Sequence, residues 1–326
     1  MSKKSYSVAI RDVIAEEMSR DDRVFIIGED IAEQGGIFGC TRGLLEQFGE
    51  ERVRNTPISE AAMIGAGVGA SISGMRPIVE LMYMDFTFVA MDQILNQAAK
   101  IRYMYGGKAT LPLVIRGQQG VGRGNAATHS QSVESIFMHF PGLKVVMPSN
   151  PGEAAGLLRT AIRDDNPVMF FEHKILYNTQ GEVNDDPDFA IPFGEANIVQ
   201  EGSDVTLIAT SQYVNRCKAV AEKLKQDGIS VELIDPRTLV PFDTETVIDS
   251  VKKTGRAVVV HEAHKTAGPG AEIAAMIMEE AFNYLDAPVL RLGAAACPLP
   301  FNLNLENAVV PQEADIESAI KKVLYK

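Results

Sequence analysis

Thr56-Pro57-Ile58-Ser59-Glu60, followed by Ala61-Ala-Met-Ile-Gly-Ala-Gly-Val-Gly-Ala70, is the stretch from which the rest of the chain can be read. Thr-Pro punctuates a turn, and Ser59 or Thr56 is a good N-cap for a helix that runs on through Ala, Met and Ile. That places Glu60 in the first helical turn. Gly65 and Gly69 are four apart and share one face, where another backbone can approach closely. A helix so apolar and so poor in side chain is expected to be buried, with a carboxylate at its entrance. Taken by itself, Glu60 reads as a carboxylate complementing the helix dipole.

Outward from this helix, short apolar runs alternate with helical patterns. Val24-Phe-Ile-Ile-Gly28 reads as a buried parallel strand with Glu29-Asp30 at its carboxyl end, where open α/β sheets place ligands. Further strands are expected at Arg76–Met82, Leu111–Arg116, Leu143–Met147 and Val168–Glu172, with helices near Ser7–Ser19, Leu44–Phe48, Met91–Tyr105 and Pro151–Arg163. After a polar stretch, a second set of strands and helices runs from Val205 to Leu324. Strands alternating with helices predict α/β domains built on parallel sheets. The expected division is a first domain over 1–178, a linker over 179–202 and a second domain over 203–326.

The totals bound the function. The chain has 326 residues, enough for two cores, and its formal charge of −12 argues against a nucleic-acid surface. No apolar run approaches membrane-spanning length. Three cysteines without metal-like spacing suit a reducing compartment, so a cytoplasmic protein is expected.

Several motifs carry competing readings. Gly65-Ala-Gly-Val-Gly-Ala is not a dinucleotide fingerprint, because a helix pattern precedes it where a strand is required. Gly117-Gln-Gln-Gly-Val-Gly-Arg-Gly124 follows a strand; it reads either as an anion-holding nest of backbone amides or as a mobile loop beside a site. His129, just beyond it, is an acid–base candidate as readily as a structural histidine. His261 and His264 lack the spacing of a helical zinc site and read as part of a surface loop. Phe86 and Phe88 read as core, or as a flat wall for an aromatic ligand.

Taken together, Thr56-Pro-Ile-Ser-Glu60, Gly74-Met-Arg-Pro-Ile, Met91-Asp-Gln-Ile-Leu-Asn-Gln-Ala-Ala-Lys100, Thr128-His-Ser-Gln131, Pro141-Gly-Leu-Lys-Val-Val and Asp235-Pro-Arg-Thr-Leu resemble one family. It is the beta subunit of the thiamine-diphosphate-dependent first component of 2-oxo-acid dehydrogenase complexes and of acetoin dehydrogenase. The resemblance runs from Tyr6 to Leu324. It implies a transketolase-like pyrimidine-binding domain followed by a transketolase C-terminal domain. It also implies an α2β2 heterotetramer with an alpha subunit, cofactor sites between unlike subunits, and a lipoyl-bearing acyltransferase core as partner. The alpha subunits of the family hold the diphosphate and Mg²⁺ through a Gly-Asp-Gly motif, and Gly-Asp-Gly occurs nowhere in this chain.

Residue by residue, Glu60 matches the family glutamate that hydrogen-bonds the aminopyrimidine ring nitrogen. A carboxyl group in a dry pocket can share a proton there and favour the imino form. Phe86 matches the aromatic packed on the pyrimidine, with Met82 in the same wall. His129 matches a histidine that orients substrate and assists acyl transfer to a lipoyl group. Leu113, Ala161, Ile162, Asp164 and Asn166 correspond to positions that in some members hold K⁺, largely through carbonyl oxygens. The Gly65/Gly69 face matches a contact between two beta subunits. Val89 and Ala296 depart from pyruvate-type members, which leaves substrate choice and docking on the acyltransferase open. The implied reaction is cleavage of a carbon–carbon bond next to a carbonyl, in acetoin or pyruvate, the Gly122-Arg-Gly-Asn125 loop and the 302–306 segment leaning towards acetoin. The rival expectations are a subunit of a split transketolase, a non-catalytic scaffold and, last, an NAD-binding dehydrogenase.

Overall fold

A computed structural model describes the chain over residues 1–326. It divides into two compact units, one of Met1–Gln119 with Ile136–Phe193 and one of Gly120–Ser135 with Gly194–Lys326. The first unit begins with β1 (Ser2–Ser5), α1 (Tyr6–Arg20), β2 (Val24–Gly28), α2 (Leu44–Phe48) and β3 (Val53–Asn55). It continues through α3 (Glu60–Ile72), β4 (Arg76–Leu81), a 3₁₀ segment Met84–Ala90, a π-helical segment Asp92–Ala98 and α4 (Ala99–Met104). After β5 (Val114–Gln119) come α5 (Glu134–Met138), β6 (Lys144–Val146), α6 (Pro151–Arg163), β7 (Val168–His173) and β8 (Gln180–Val183).

The parallel sheet of this unit orders its strands β6-β7-β5-β4-β2-β3. The order decides where a ligand can sit. From β2 the chain steps to β3 on one side; from β3 it crosses through α3 to β4 on the other side of β2. The connections therefore diverge between β2 and β4, and such a switch point opens a crevice at the carboxyl ends of the strands. Gly28 lies opposite Glu80 across that pair. A Cβ on Gly28 would come within 2.8 Å of the Glu80 carbonyl oxygen, so the close approach requires glycine.

One face of the sheet is covered by α1 and α6, which pack on each other. Ile10, Ile14 and Met18 from α1 meet Leu157, Leu158 and Ile162 from α6 over Ile26, Ile78, Val114 and Phe170 of the strands. Both helices start where the sequence provides caps: Ser5 Oγ accepts from the Val8 amide, and Asn150 Oδ1 accepts from the Glu153 amide ahead of Pro151.

The second unit holds β9 (Asn197–Gln200), β10 (Val205–Ala209), α7 (Gln212–Gln226), β11 (Val231–Asp235) and the short β12 (Thr238–Val240). It ends with α8 (Thr244–Thr254), β13 (Ala257–His264), α9 (Pro269–Ala281), β14 (Leu290–Ala294), α10 (Leu303–Val309) and α11 (Glu313–Val323). Its five-stranded sheet runs β14-β13-β10-β11-β9, parallel except for β9. Valine and leucine side chains from β10, β11 and β13 meet α7 and α11 on one face; α8 and α9 cover the other. Continuous apolar strands buried on both faces are what such a layered parallel arrangement needs. No helix in the chain is long and apolar enough to cross a membrane.

Two differences from expectation concern the boundaries. The stretch expected as a linker is ordered at both ends: β8 pairs antiparallel with β1, and β9 pairs with β11. The segment Gly120–Ser135, expected inside the first domain, clusters with the second unit. Val121 explains part of this, packing with Ala294, Leu299 and Val310.

Candidate functional site

Three elements end or begin at the β2–β4 switch point. Glu29 leaves the end of β2, Met82 follows β4, and Glu60 is the first residue of α3. The helix starts one residue after Ser59, whose side chain makes no capping bond. The alternative cap, Thr56, does something else: its amide donates to the Gly28 carbonyl at 3.0 Å, tying the turn to the end of β2. That tether brings Glu60 beside Glu29. Both carboxylates are buried, and no side chain hydrogen-bonds either Glu29 oxygen. Burial, then the neighbouring charge of Glu60, with a smaller push from Asp30, raises the Glu29 carboxyl to about 7; the Ser59 amide opposes this. A carboxyl raised this far can hold and release a proton near neutral pH. Glu29 is the residue whose role the sequence left unstated, although its place at a strand end was legible.

Phe86 lies in the 3₁₀ segment that packs on α3, and its ring meets Tyr83 edge-on at 5.6 Å between centroids. Phe86 and Met82 are both half-buried, so each keeps a face for something else to cover. Gln118, at the end of β5, donates from Nε2 to the Met82 carbonyl at 2.8 Å. Glu60, Met82 and Phe86 thus belong to the first unit; His129 belongs to the second.

Beside Met82 lies a buried ion network. Arg116 of β5 grips Glu172 of β7 with Nε and Nη2, both at 2.6 Å, and also pairs with Glu80 of β4. Tyr177 adds an O–H donor to Glu172 at 2.7 Å, and Phe38 stacks on the Tyr177 ring at 4.7 Å. The network cross-links three adjacent strands at the end where the crevice opens. Burial pushes the nearby Cys40 thiol well above its ordinary range, which leaves it unreactive.

The glycine-rich loop proves to be a nest that the chain fills itself. Positive φ recurs at Gly120, Gly122, Gly124 and Ala126, at 92°, 107°, 62° and 63°. This alternation turns amides inward. The Gly122 and Gly124 amides donate to Glu306 Oε2 at 3.0 and 3.3 Å, and the Val121 amide donates to Glu262 Oε1 at 2.9 Å. The anion in the nest is therefore a pair of internal carboxylates. Gly124 is fixed twice over, since a Cβ there would also sit 2.6 Å from the Phe301 carbonyl oxygen. His129 sits past the nest, half-buried, its Nδ1 3.0 Å from Thr128 Oγ1.

The five positions expected to hold a cation gather around the turn from α6 to β7 and the strand beside it. Arg76 Nη1 donates to the carbonyls of Ile162 and Asp164 at 3.0 and 3.1 Å. The Leu113 carbonyl accepts from the Val168 amide, and Asp164 pairs with Lys144 and caps Asn166. Ala161 is buried in the last turns of α6.

The expectation of a surface loop at His261 and His264 is corrected. His261 is wholly buried within β13, its Nδ1 3.0 Å from the Ala263 carbonyl oxygen, and burial lowers it to about 4. Gly268, Gly270 and Gly293 make room for its ring, since a Cβ on any of them would come within 2.8 Å of it. Only His264 is exposed. Helix α3 also departs from expectation: Met63, Ile64, Gly67 and Val68 are buried, but Ala62, Ala66 and Gly69 are open in the single chain.

With this geometry in place, the chain was compared with known proteins. Residues 2–180 match the family described as transketolase, pyrimidine binding domain, and residues 194–316 match transketolase, C-terminal domain. A pyruvate dehydrogenase E1 component subunit beta from Rickettsia felis is 49% identical over 317 residues, covering 97% of each chain. The acetoin:2,6-dichlorophenolindophenol oxidoreductase subunit beta of Cupriavidus necator is 46% identical, over 99% of this chain and 98% of that one. A solved structure described as a split gene transketolase, inactive beta4 tetramer, superposes with a TM-score of 0.81 at 22% identity, over 97% of each chain, a likeness of fold alone.

Proposed function

Since the chain belongs to the family of transketolase-like beta subunits of 2-oxo-acid and acetoin dehydrogenases, we propose that it forms half of a thiamine-diphosphate site, completed by an alpha subunit in an α2β2 assembly. The reaction is cleavage of the carbon–carbon bond beside the carbonyl of acetoin or pyruvate, with the fragment passed to a lipoyl-bearing acyltransferase.

The observation that carries this reading is the buried Glu29–Glu60 pair at the switch point, with the Glu29 carboxyl raised to about 7 by burial and by its neighbour. Such a pair fits the aminopyrimidine half of the cofactor. When bound, thiamine diphosphate supplies the carbon nucleophile and the electron sink. Glu60 holds a proton at the pyrimidine ring nitrogen, and Glu29 keeps a second proton within the same dry crevice. Phe86 and Met82 offer the ring an apolar wall. His129 orients the substrate carbonyl and assists transfer to the lipoyl group. Mg²⁺ and the diphosphate fall to the alpha subunit, in keeping with the missing Gly-Asp-Gly motif.

The open face of α3, with Ala62, Ala66 and Gly69, suits the contact between two beta subunits, where small residues let helices approach closely. K⁺ at Leu113, Ala161, Ile162, Asp164 and Asn166 would share the Ile162 and Asp164 carbonyls with Arg76, each oxygen having a second lone pair. A cytoplasmic location, away from membranes and nucleic acids, completes the reading.

The test is dye-coupled turnover of the reconstituted enzyme with thiamine diphosphate and Mg²⁺. Glu60→Gln is expected to lower kcat by about 10²-fold or more, as for loss of an acid–base group. Unchanged turnover would leave only a scaffold role.

A further inference from the structure

The nest at 120–126 and the placement of His129 belong to one device. Glu262, from β13, accepts at Oε1 from the Val121 amide and from Ser132 Oγ, both at 2.9 Å, and at Oε2 from Gln212 Nε2 at 3.2 Å. It therefore grips the loop on both sides of His129. Glu306, from α10, is completely buried and takes the Gly122 and Gly124 amides on one oxygen. The Gly120 amide closes the loop on the Gln131 carbonyl at 3.2 Å. Both side chains come from regular elements, so they hold the loop from fixed positions. A loop rich in glycine loses much conformational entropy on ordering, and these bonds are what offset that cost.

We propose that Glu262 and Glu306 are positioning residues for the reaction, holding the loop so that His129 meets the substrate in a single orientation. In place of an external phosphate, the nest binds the protein's own carboxylates, and removing either one loosens the histidine. This rests on the reading of His129 as the side chain that faces the substrate.

The test uses the reconstituted enzyme and the variants Glu262→Ala, Glu306→Ala, their Gln counterparts, Ser132→Ala and His129→Ala, with folding checked by thermal melting. Loss of a positioning contact is expected to lower kcat about tenfold or more. The KM for thiamine diphosphate should stay unchanged. Each Gln variant should recover most of the loss, because its carbonyl oxygen still accepts. In the His129→Ala background the same substitutions should cost nothing more, since there is no longer a histidine to position. Amide exchange at Val121, Gly122 and Gly124 should speed up in Glu306→Ala. Ser132→Ala removes a single bond and keeps the test open if the glutamate variants fold poorly. Losses that add to that of His129→Ala, or full turnover in well-folded Ala variants, would overturn the proposal. Full turnover by His129→Ala alone would instead refute the reading of His129 and leave nothing to position, a result distinct from failure of the latch.

Discussion

At the scale of single residues, Glu29 concentrates the chemistry of the first unit. Its carboxyl, raised from 4.5 to about 7, binds a proton in the folded chain that the unfolded chain releases. The contribution of this group to stability is full below about pH 4.5 and is lost as pH rises through 7. Glu29→Gln, neutral throughout, should gain stability relative to the parent over that window, by on the order of 3 kcal/mol at most. Denaturant midpoints of both proteins between pH 4 and 8 check this; parallel curves would show that Glu29 is not held protonated. What the sequence made legible here was position. A carboxylate after an apolar strand marks the ligand end of a sheet. Proximity was illegible, because Glu29 and Glu60 meet only through the Thr56–Gly28 tether and the return of α3 across the sheet. For the same reason Glu262 and Glu306 gave no sign of serving a loop more than a hundred residues earlier in the chain.

At the scale of elements, α3 and the β4–β5–β7 triad do different work. Gly67, not Gly65 or Gly69, is the glycine that sheet packing needs: a Cβ there would lie 2.8 Å from Val79 and 3.1 Å from Leu113, whereas Gly69 has open space. The four-residue spacing of Gly65 and Gly69 was visible in the sequence, but the face that each glycine serves depends on which side of the helix meets the sheet. Gly67→Val should therefore cost about 2–3 kcal/mol through overpacking. Gly69→Ala should stabilise the isolated chain by up to about 1 kcal/mol through helix propensity. Thermal or denaturant melts of the two variants decide it; equal effects would contradict the assigned faces. In the triad, Arg116→Met leaves Glu80 and Glu172 buried without their cation, a change that typically costs about 3–5 kcal/mol. A melt of Arg116→Met unchanged from the parent would show that the network contributes little.

At the scale of the whole molecule, two α/β units and their order were legible because buried parallel strands and helices alternate so regularly. The boundaries were less so: Gly120–Ser135 follows a strand of the first unit in sequence, yet Val121 packs in the second unit and the Val121, Gly122 and Gly124 amides bond to its carboxylates. The central claim is that this chain carries the proton-handling half of a shared site and lacks the half that holds metal and diphosphate. It is tested most directly by dye-coupled turnover of acetoin and pyruvate, with thiamine diphosphate and Mg²⁺, for this chain alone and with its alpha subunit. Turnover only when both chains are present is the predicted result, and the better substrate then names the reaction. Full activity from this chain alone would contradict the shared site.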